Sequence, residues 1–383
     1  MALLIVAVLT LTVGTHFWIA DRQSVLRTLF PVQALLSPQS CSKQAPLWLQ
    51  HLSETIPYQM RALSNQLVWI DGSGREHHCE TGWAGTPFTT AALTDDVRFR
   101  YGSLTKPLVS AALLELDRRG TLPIDTTVTS AMLDNSAALT LVDSRVKNLK
   151  LSHLLEHRAG LVGRLHQIFI RDGKPWCPHA LTKIADARLH FAPGSQSRYE
   201  NINYCLVGEA IAVAEGQPVG VALDRLLSLQ ERGIGFVGEA NAEDEVLRDY
   251  RNNPFYSATF TGNFDYQAIT ATAGMSGSAL AYARLMRELL LRDYPGYLAS
   301  PESAGECDST ALRSCFGRAF FSFTAENAVH LNVKDGYLPG TSALVVITPS
   351  DGVFVWLGNA DIPGVVEGQP LRWLLNEIAR HAE

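Results

Sequence analysis

Ser103 and Lys106 are the first pair of side chains whose types and spacing could do chemistry. They flank Leu104-Thr105, where an extended segment, Val97 to Tyr101, turns into an apolar-periodic helix read over Leu104–Leu116. Backbone N–H groups at a helix start are aimed at any anion forming beside them. Lys106 returns to the same helix face one turn after Ser103. A lysine ammonium that is partly desolvated loses its proton more readily, and the free amine can accept the serine proton. That combination supports nucleophilic acyl transfer. Taken alone the pattern has little specificity, because S-x-x-K arises by chance about once per few hundred residues. A helix cap beside a surface lysine is the competing reading.

Three other motifs carry less. His153-Leu154-Leu155-Glu156-His157 fits H-x-x-E-H, a zinc peptidase pattern, but it needs a distant third ligand, and Glu209 is only a nominal one. The helix holding it breaks at once in Arg158-Ala159-Gly160. Gly233 to Gly238 fits G-x-G-x-x-G, yet a helix-like run, Ala222 to Leu229, precedes it where a dinucleotide site needs a strand. Gly274-Met275-Ser276-Gly277 lacks the glycine spacing of a nucleophile elbow.

Around these motifs lie 383 residues, 46% hydrophobic and 18% charged, against about 25% charged for ordinary domains. So little charge excludes a disordered chain and a long coiled coil. The net charge of −6, with basic residues scattered singly, excludes a nucleic-acid face. Gln66 to Asp71 and Glu76 to Trp83 read as a hairpin about Gly72-Ser73-Gly74; Ser342 to Thr348 and Val353 to Leu357 read as another. Leu47 to Ile56 reads as a short helix, and Leu371, Leu374, Leu375, Ile378 and Ala382 share one face of a closing helix. From Leu122 to about Leu291 the pattern is helix and loop with few convincing strands. The expected architecture is α/β (α+β): an antiparallel sheet flanked by helices, built from 47–120 and 292–383, with an all-helical domain, 121–291, inserted.

Residues 1–20 contain no charged side chain, and a helix of that length rises about 30 Å, enough to cross a bilayer. Signal peptide and membrane anchor both remain open, and 21–46, interrupted by Pro31, Pro38 and Pro46, reads as a linker. Six cysteines, none in C-x-x-C, fit an oxidising compartment, hence export to the periplasm or attachment outside the cytoplasm. Cys307 and Cys315 would staple a short loop. Cys41 with Cys79 and Cys177 with Cys205 is the simplest completion, although six cysteines allow fifteen pairings and free buried thiols are the alternative.

Five segments in order resemble the serine β-lactamase (class C) and penicillin-binding protein family. Residues 97–120 (VRFRYGSLTKPLVSAALLELDRRG) are similar to its active-site serine region, and 150–161 (KLSHLLEHRAGL) to its helix before the first long loop. Residues 198–208 (RYENINYCLVG) are similar to its Tyr-x-Asn segment, 272–287 (TAGMSGSALAYARLMR) to its later turn and helix, and 334–345 (KDGYLPGTSALV) to its Lys-Thr-Gly strand. The resemblance spans about Leu47 to the C-terminus. It implies the β-lactamase/transpeptidase-like fold and an acylated nucleophile at Ser103. It also implies a base role shared by Lys106 and Tyr199, the phenol being useful only if a nearby cation lowers its pKa, and a second cation at Lys334. Asn201 would bind the substrate amide and hold Lys106. The backbone N–H groups of Ser103 and of Tyr337, the residue after Gly336, would form the oxyanion hole.

Two departures bear on substrate. Asp335 stands where the family has threonine, and would repel a substrate carboxylate at short range. Glu200 adds an acid between Tyr199 and Asn201. Weak or no β-lactamase activity is therefore expected, with a D-amino-acid peptide or a carboxylic ester as substrate. The alternatives are an active β-lactamase, a D,D-carboxypeptidase, or a non-catalytic relative that binds peptide or peptidoglycan. A small-molecule or peptide partner is implied, with no metal and no cofactor. Membrane attachment through residues 1–20 and the oligomeric state stay open.

Overall fold

The two hairpins expected from the apolar runs meet in the middle of one sheet. A computed structural model describes residues 14–16, 19, 22–133, 139–163, 175–238, 240–247, 262–298, 307–360 and 368–382. The reading of 1–20 as a leader or anchor falls almost wholly outside these residues. Among the described ones, no single helix is long and apolar enough to cross a membrane.

The chain begins with helix α1 (Arg22–Leu35), strand β1 (Gln39–Cys41), helix α2 (Leu47–Met60), and the hairpin β2 (Asn65–Ile70) and β3 (Glu76–Thr81). Strand β4 (Phe99–Arg100) leads through a Gly102–Leu104 turn into α3 (Thr105–Arg118). Helices α4 (Val128–Met132), α5 (Leu151–Leu155), α6 (Ile202–Glu215) and α7 (Val219–Leu227) follow. Then come β5 (Gly235–Phe236), β6 (Met275–Gly277) and α8 (Ala279–Leu290). The chain closes with β7 (Cys315–Phe316), β8 (Phe321–Thr324), β9 (His330–Leu338), β10 (Thr341–Ile347), β11 (Val353–Gly358) and α9 (Gln369–Ala379).

The main sheet has eight strands in the order β1-β3-β2-β11-β10-β9-β8-β7. Its two halves join where β2 pairs antiparallel with β11, Val68 opposite Val355. Strand alternation sorts the side chains into two cores. Val68, Val345, Val353 and Val355 face the core shared with α3, α6 and α8, while Leu67, Leu344, Val346 and Phe354 face α2 and α9. Burial on both faces explains why these strands read as nearly continuous apolar runs.

Three expectations are corrected. The stretch 21–46 is no bare linker, because it holds α1 and the edge strand β1, which pairs with β3 and is bridged to it by Cys41–Cys79. Three residues are too short to show an alternation, so long-range pairing alone draws them into the sheet. The helical insertion ends before 291, because α8 packs on β2 and β11 and belongs to the sheet layer. The segment 121–291 also supplies strands, since β5 and β6 form a small second sheet with β4. The remaining cysteines pair as Cys177–Cys205 and Cys307–Cys315, and none is free.

Candidate active site

Ser103 sits on the turn between β4 and α3, and that turn is held from several sides. Tyr101 N–H donates to the Met275 carbonyl at 2.9 Å, and Tyr282 Oη donates to the Leu104 carbonyl at 2.8 Å. Gly102 adopts a φ of 54°, and a Cβ there would lie 2.5 Å from the Tyr337 nitrogen. On the facing strand, a Cβ on Gly336 would lie 2.1 Å from the Tyr101 carbonyl oxygen. The two glycines let β9 and the serine turn touch backbone to backbone, which brings the Ser103 and Tyr337 amides to one seam.

Lys106 is wholly buried, and its Nζ lies 3.0 Å from Ser103 Oγ, 2.8 Å from Asn201 Oδ1 and 2.8 Å from the Thr272 carbonyl. Burial, with the like charge of Lys334 adding to it, drops its pKa well below the ordinary lysine value. A neutral amine would place its two N–H bonds on Asn201 and Thr272. Its lone pair is then left for the Ser103 hydroxyl.

Tyr199 lies just before α6 and donates its Oη to Ser103 Oγ at 2.7 Å. Lys334 Nζ sits 4.7 Å from the centre of its ring and Lys106 Nζ 5.0 Å. These cations were expected to lower the phenol's pKa. Burial instead pushes it above the ordinary tyrosine value, and the Ser103 hydrogen bond offsets this only in part. Both lysine nitrogens lie over the ring rather than beside its oxygen. Burial thus favours the protonated phenol, whose Oη donates to Ser103 Oγ, and the uncharged form of the Lys106 amine.

Lys334 and Asp335 are neighbours on β9, opposite Val345 and Leu344, which belong to different cores. Their side chains thus leave opposite faces of the strand. Lys334 is 3% exposed, and burial lowers its pKa to about 8 against the raising pull of Asp335. Asp335 is 7% exposed, and its Oδ2 accepts two N–H bonds from Arg313, while its Oδ1 is 3.8 Å from Lys334 Nζ. Burial would raise its pKa, but the charges of Arg313 and Lys334 outweigh that and hold it below the usual value. The bare carboxylate expected from the sequence is therefore absent. Asp335 is flanked by two cations. Tyr337 points a 41% exposed side chain outward, and Glu200 leans towards Arg198 at 3.9 Å rather than towards Ser103.

Four groups in this arrangement escaped the sequence reading. Arg313 and Phe316 come from a segment with no periodic signal, and the Thr272 carbonyl is an anonymous backbone atom. His157 was read only within H-x-x-E-H. Helix α5 stops at Leu155 and His157 takes a φ of 55°, so its imidazole does not share a helix face with His153. Its ring lies 4.3 Å from that of Tyr199, and its Nδ1 accepts the Glu200 N–H at 3.3 Å. Burial first, with the charge of Lys334 and that of Lys106 when protonated adding to it, drops its pKa well below the ordinary histidine value. The only visible signal was its place in 150–161. Gly235-Phe236 of the G-x-G-x-x-G run forms β5, and Met275 to Gly277 forms β6, so neither motif makes the turn its name requires.

The Beta-lactamase family model matches residues 68–367. The chain belongs to the Beta-lactamase family. Membership makes it an enzyme of the serine hydrolase type. The probable fimbrial assembly protein FimD, serogroup H1, of Dichelobacter nodosus is 30% identical over 350 residues, 90% of this chain and 87% of that protein. Esterase EstB of Burkholderia gladioli is 32% identical over 165 residues, 40% of this chain and 41% of its own. The solved β-lactamase/D-alanine carboxypeptidase from Yersinia pestis, complexed with citrate, shares the fold at a TM-score of 0.67 and 16% identity, covering 88% of this chain and 99% of that one. In this Beta-lactamase-family enzyme, as expected from both chain ends, an antiparallel sheet is flanked by helices.

Proposed function

We propose that the enzyme forms an acyl-enzyme on Ser103 and hydrolyses an amide or ester, with a small D-amino-acid peptide or a carboxylic ester as substrate. One observation carries this reading: Ser103 Oγ lies 3.0 Å from a buried lysine amine and 2.7 Å from a tyrosine hydroxyl. Lys106, as the neutral amine, takes the Ser103 proton while Oγ bonds to the substrate carbonyl carbon. The oxyanion that forms meets the Ser103 and Tyr337 N–H groups, and protonated Lys334 adds positive charge nearby. As the bond to the leaving group breaks, Tyr199 gives that group its proton and recovers one from the Lys106 ammonium. Water then attacks the acyl carbon by the same steps in reverse. Asn201 keeps Lys106 aimed at Ser103 through the 2.8 Å contact.

The test is intact-mass labelling with a fluorophosphonate and with a fluorescent penicillin, followed by peptide mapping. Label on the Ser103 peptide, absent in Ser103→Ala, is the expected result. Equal fluorophosphonate labelling of Ser103→Ala would overturn the nucleophile assignment.

The three disulfides and the uncharged residues 1–20 support a working place outside the cytoplasm, in the periplasm or on a membrane facing away from the cytosol. A second reading, participation in the assembly of surface fibres, is favoured by the names of the Dichelobacter nodosus relatives. A deletion strain complemented with Ser103→Ala separates the two: restored fibres would assign that role to binding rather than to hydrolysis.

A further inference from the structure

Arg313 stands in the loop closed by the Cys307–Cys315 bridge and takes a φ of 59°. Its Nε donates to Asp335 Oδ2 at 3.1 Å, and a terminal N–H donates to the same oxygen. That leaves Oδ1 for Lys334 at 3.8 Å, beyond hydrogen-bond length. Phe316 follows the bridge directly. Its ring lies 5.7 Å from that of Tyr199 and 5.4 Å from that of His157, with Lys334 Nζ 5.9 Å above it. One cross-linked loop therefore touches both the counter-charge of Lys334 and the ring of Tyr199. Fixing an arginine on irregular backbone costs conformational freedom, and closing the loop covalently reduces that cost.

We propose that Arg313 is a positioning residue of the acylation site, held by the disulfide-closed loop so that it occupies Asp335 and leaves the Lys334 ammonium over Tyr199. This rests on the roles given to Ser103, Lys106, Tyr199 and Lys334 under Proposed function. The physical reason is competition for one buried carboxylate. An ammonium next to an unshared buried carboxylate closes on it, because a carboxylate without its partner is costly. With Arg313 in place, two N–H groups already satisfy Oδ2, and Lys334 stays at a distance. The groups that face Lys334 are Asp335 on its own strand, Arg313 on the loop, Tyr199 before α6, Lys106 on α3 and His157 after α5. Burial keeps Tyr199 and His157 uncharged and lowers Lys106. The Lys334 ammonium is thus balanced mainly by the opposed pulls of Asp335 and Arg313.

The experiment uses the full chain with p-nitrophenyl butyrate and a fluorophosphonate, read as kcat, KM and labelling rate across pH. Arg313→Gln removes the guanidinium and lets Asp335 hold Lys334 protonated to higher pH. The alkaline limb of kcat/KM should move upward, while kcat falls about tenfold and KM changes little. Arg313→Lys should restore most of both. Replacing Cys307 and Cys315 together by serine should move the limb in the same direction, and adding Arg313→Gln to that variant should change nothing more. A packing role would lower the melting temperature and leave the limb in place, which overturns the proposal. If Arg313→Gln does not fold, the paired serine variant carries the same reading of the limb. Loss of the label from wild-type Ser103 would instead overturn the acyl-enzyme reading.

Discussion

Gly336→Ala tests whether the seam between β9 and the serine turn is what makes the site. The added Cβ would lie 2.1 Å from the Tyr101 carbonyl oxygen, whereas ordinary contacts begin at 3.4 Å. The strand and the turn must therefore part by more than about 1 Å. Neither side yields easily: Gly336 is paired with Ala343 on β10, and Tyr101 is bonded to the Met275 carbonyl. The displacement separates the Ser103 and Tyr337 amides, the two donors proposed for the oxyanion. Misplacement of that size costs about 10²-fold, and loss of one such donor about 10²–10³-fold. The expected fall in kcat/KM for p-nitrophenyl butyrate is therefore about 10²–10³-fold, or roughly 3–4 kcal/mol of barrier. Overpacking typically costs about 1–3 kcal/mol, and a clash with backbone sits at or above the top of that range, so the kinetics are read on protein whose folded state is first checked by its melting curve. Activity within about threefold of wild type, with a melting temperature lowered by a few degrees, would show that the reaction does not use this seam.

Ser103→Ala, Lys106→Ala and the double variant should lose activity to nearly the same level, because both groups serve one proton transfer; additive losses in ester kinetics would contradict this. The pH profile of kcat/KM should be bell-shaped, rising as Lys106 loses its proton below its ordinary range and falling as Lys334 loses its own at about 8. A rate that stays flat to pH 10 would remove Lys334 from the mechanism. Asp335→Thr leaves Arg313 and Lys334 without a counter-charge, so acylation by a carboxylate-bearing penicillin should rise about tenfold relative to a neutral ester, while the alkaline limb for both moves to lower pH. Equal gains on both substrates, measured as k2/K across ionic strength, would place Asp335 out of the substrate's reach.

Much of the scaffold and the serine end of the site could be read from residue order. The spacing of Ser103 and Lys106 is a property of one helical turn, so local geometry brings them together whatever surrounds them. The β2–β3 and β10–β11 hairpins announce themselves through turn residues between β-rich runs. What escaped depends on distance through the chain. Arg313 meets Asp335 and Phe316 meets Tyr199 only because β7 lies at the sheet edge, and no periodicity marks a two-residue strand. The direction of the Tyr199 shift also escaped, because it is set by burial. A sequence names the charges near a phenol but does not say how little water reaches it.

The pairing of β2 with β11 also sets when this enzyme can first act. Trp356 Nε1 donates to Asn65 Oδ1, a contact between residues 291 positions apart. The sheet that backs the serine turn therefore stays open until residues 353–358 are available, and pairings so distant in sequence close slowly. A chain that stops short of β9 has Ser103 and Lys106 but lacks Lys334 and the Tyr337 amide. The seam proposed to hold the oxyanion thus cannot form before β9 meets the serine turn, so a shortened thread would carry the proposed nucleophile without the groups proposed to assist it.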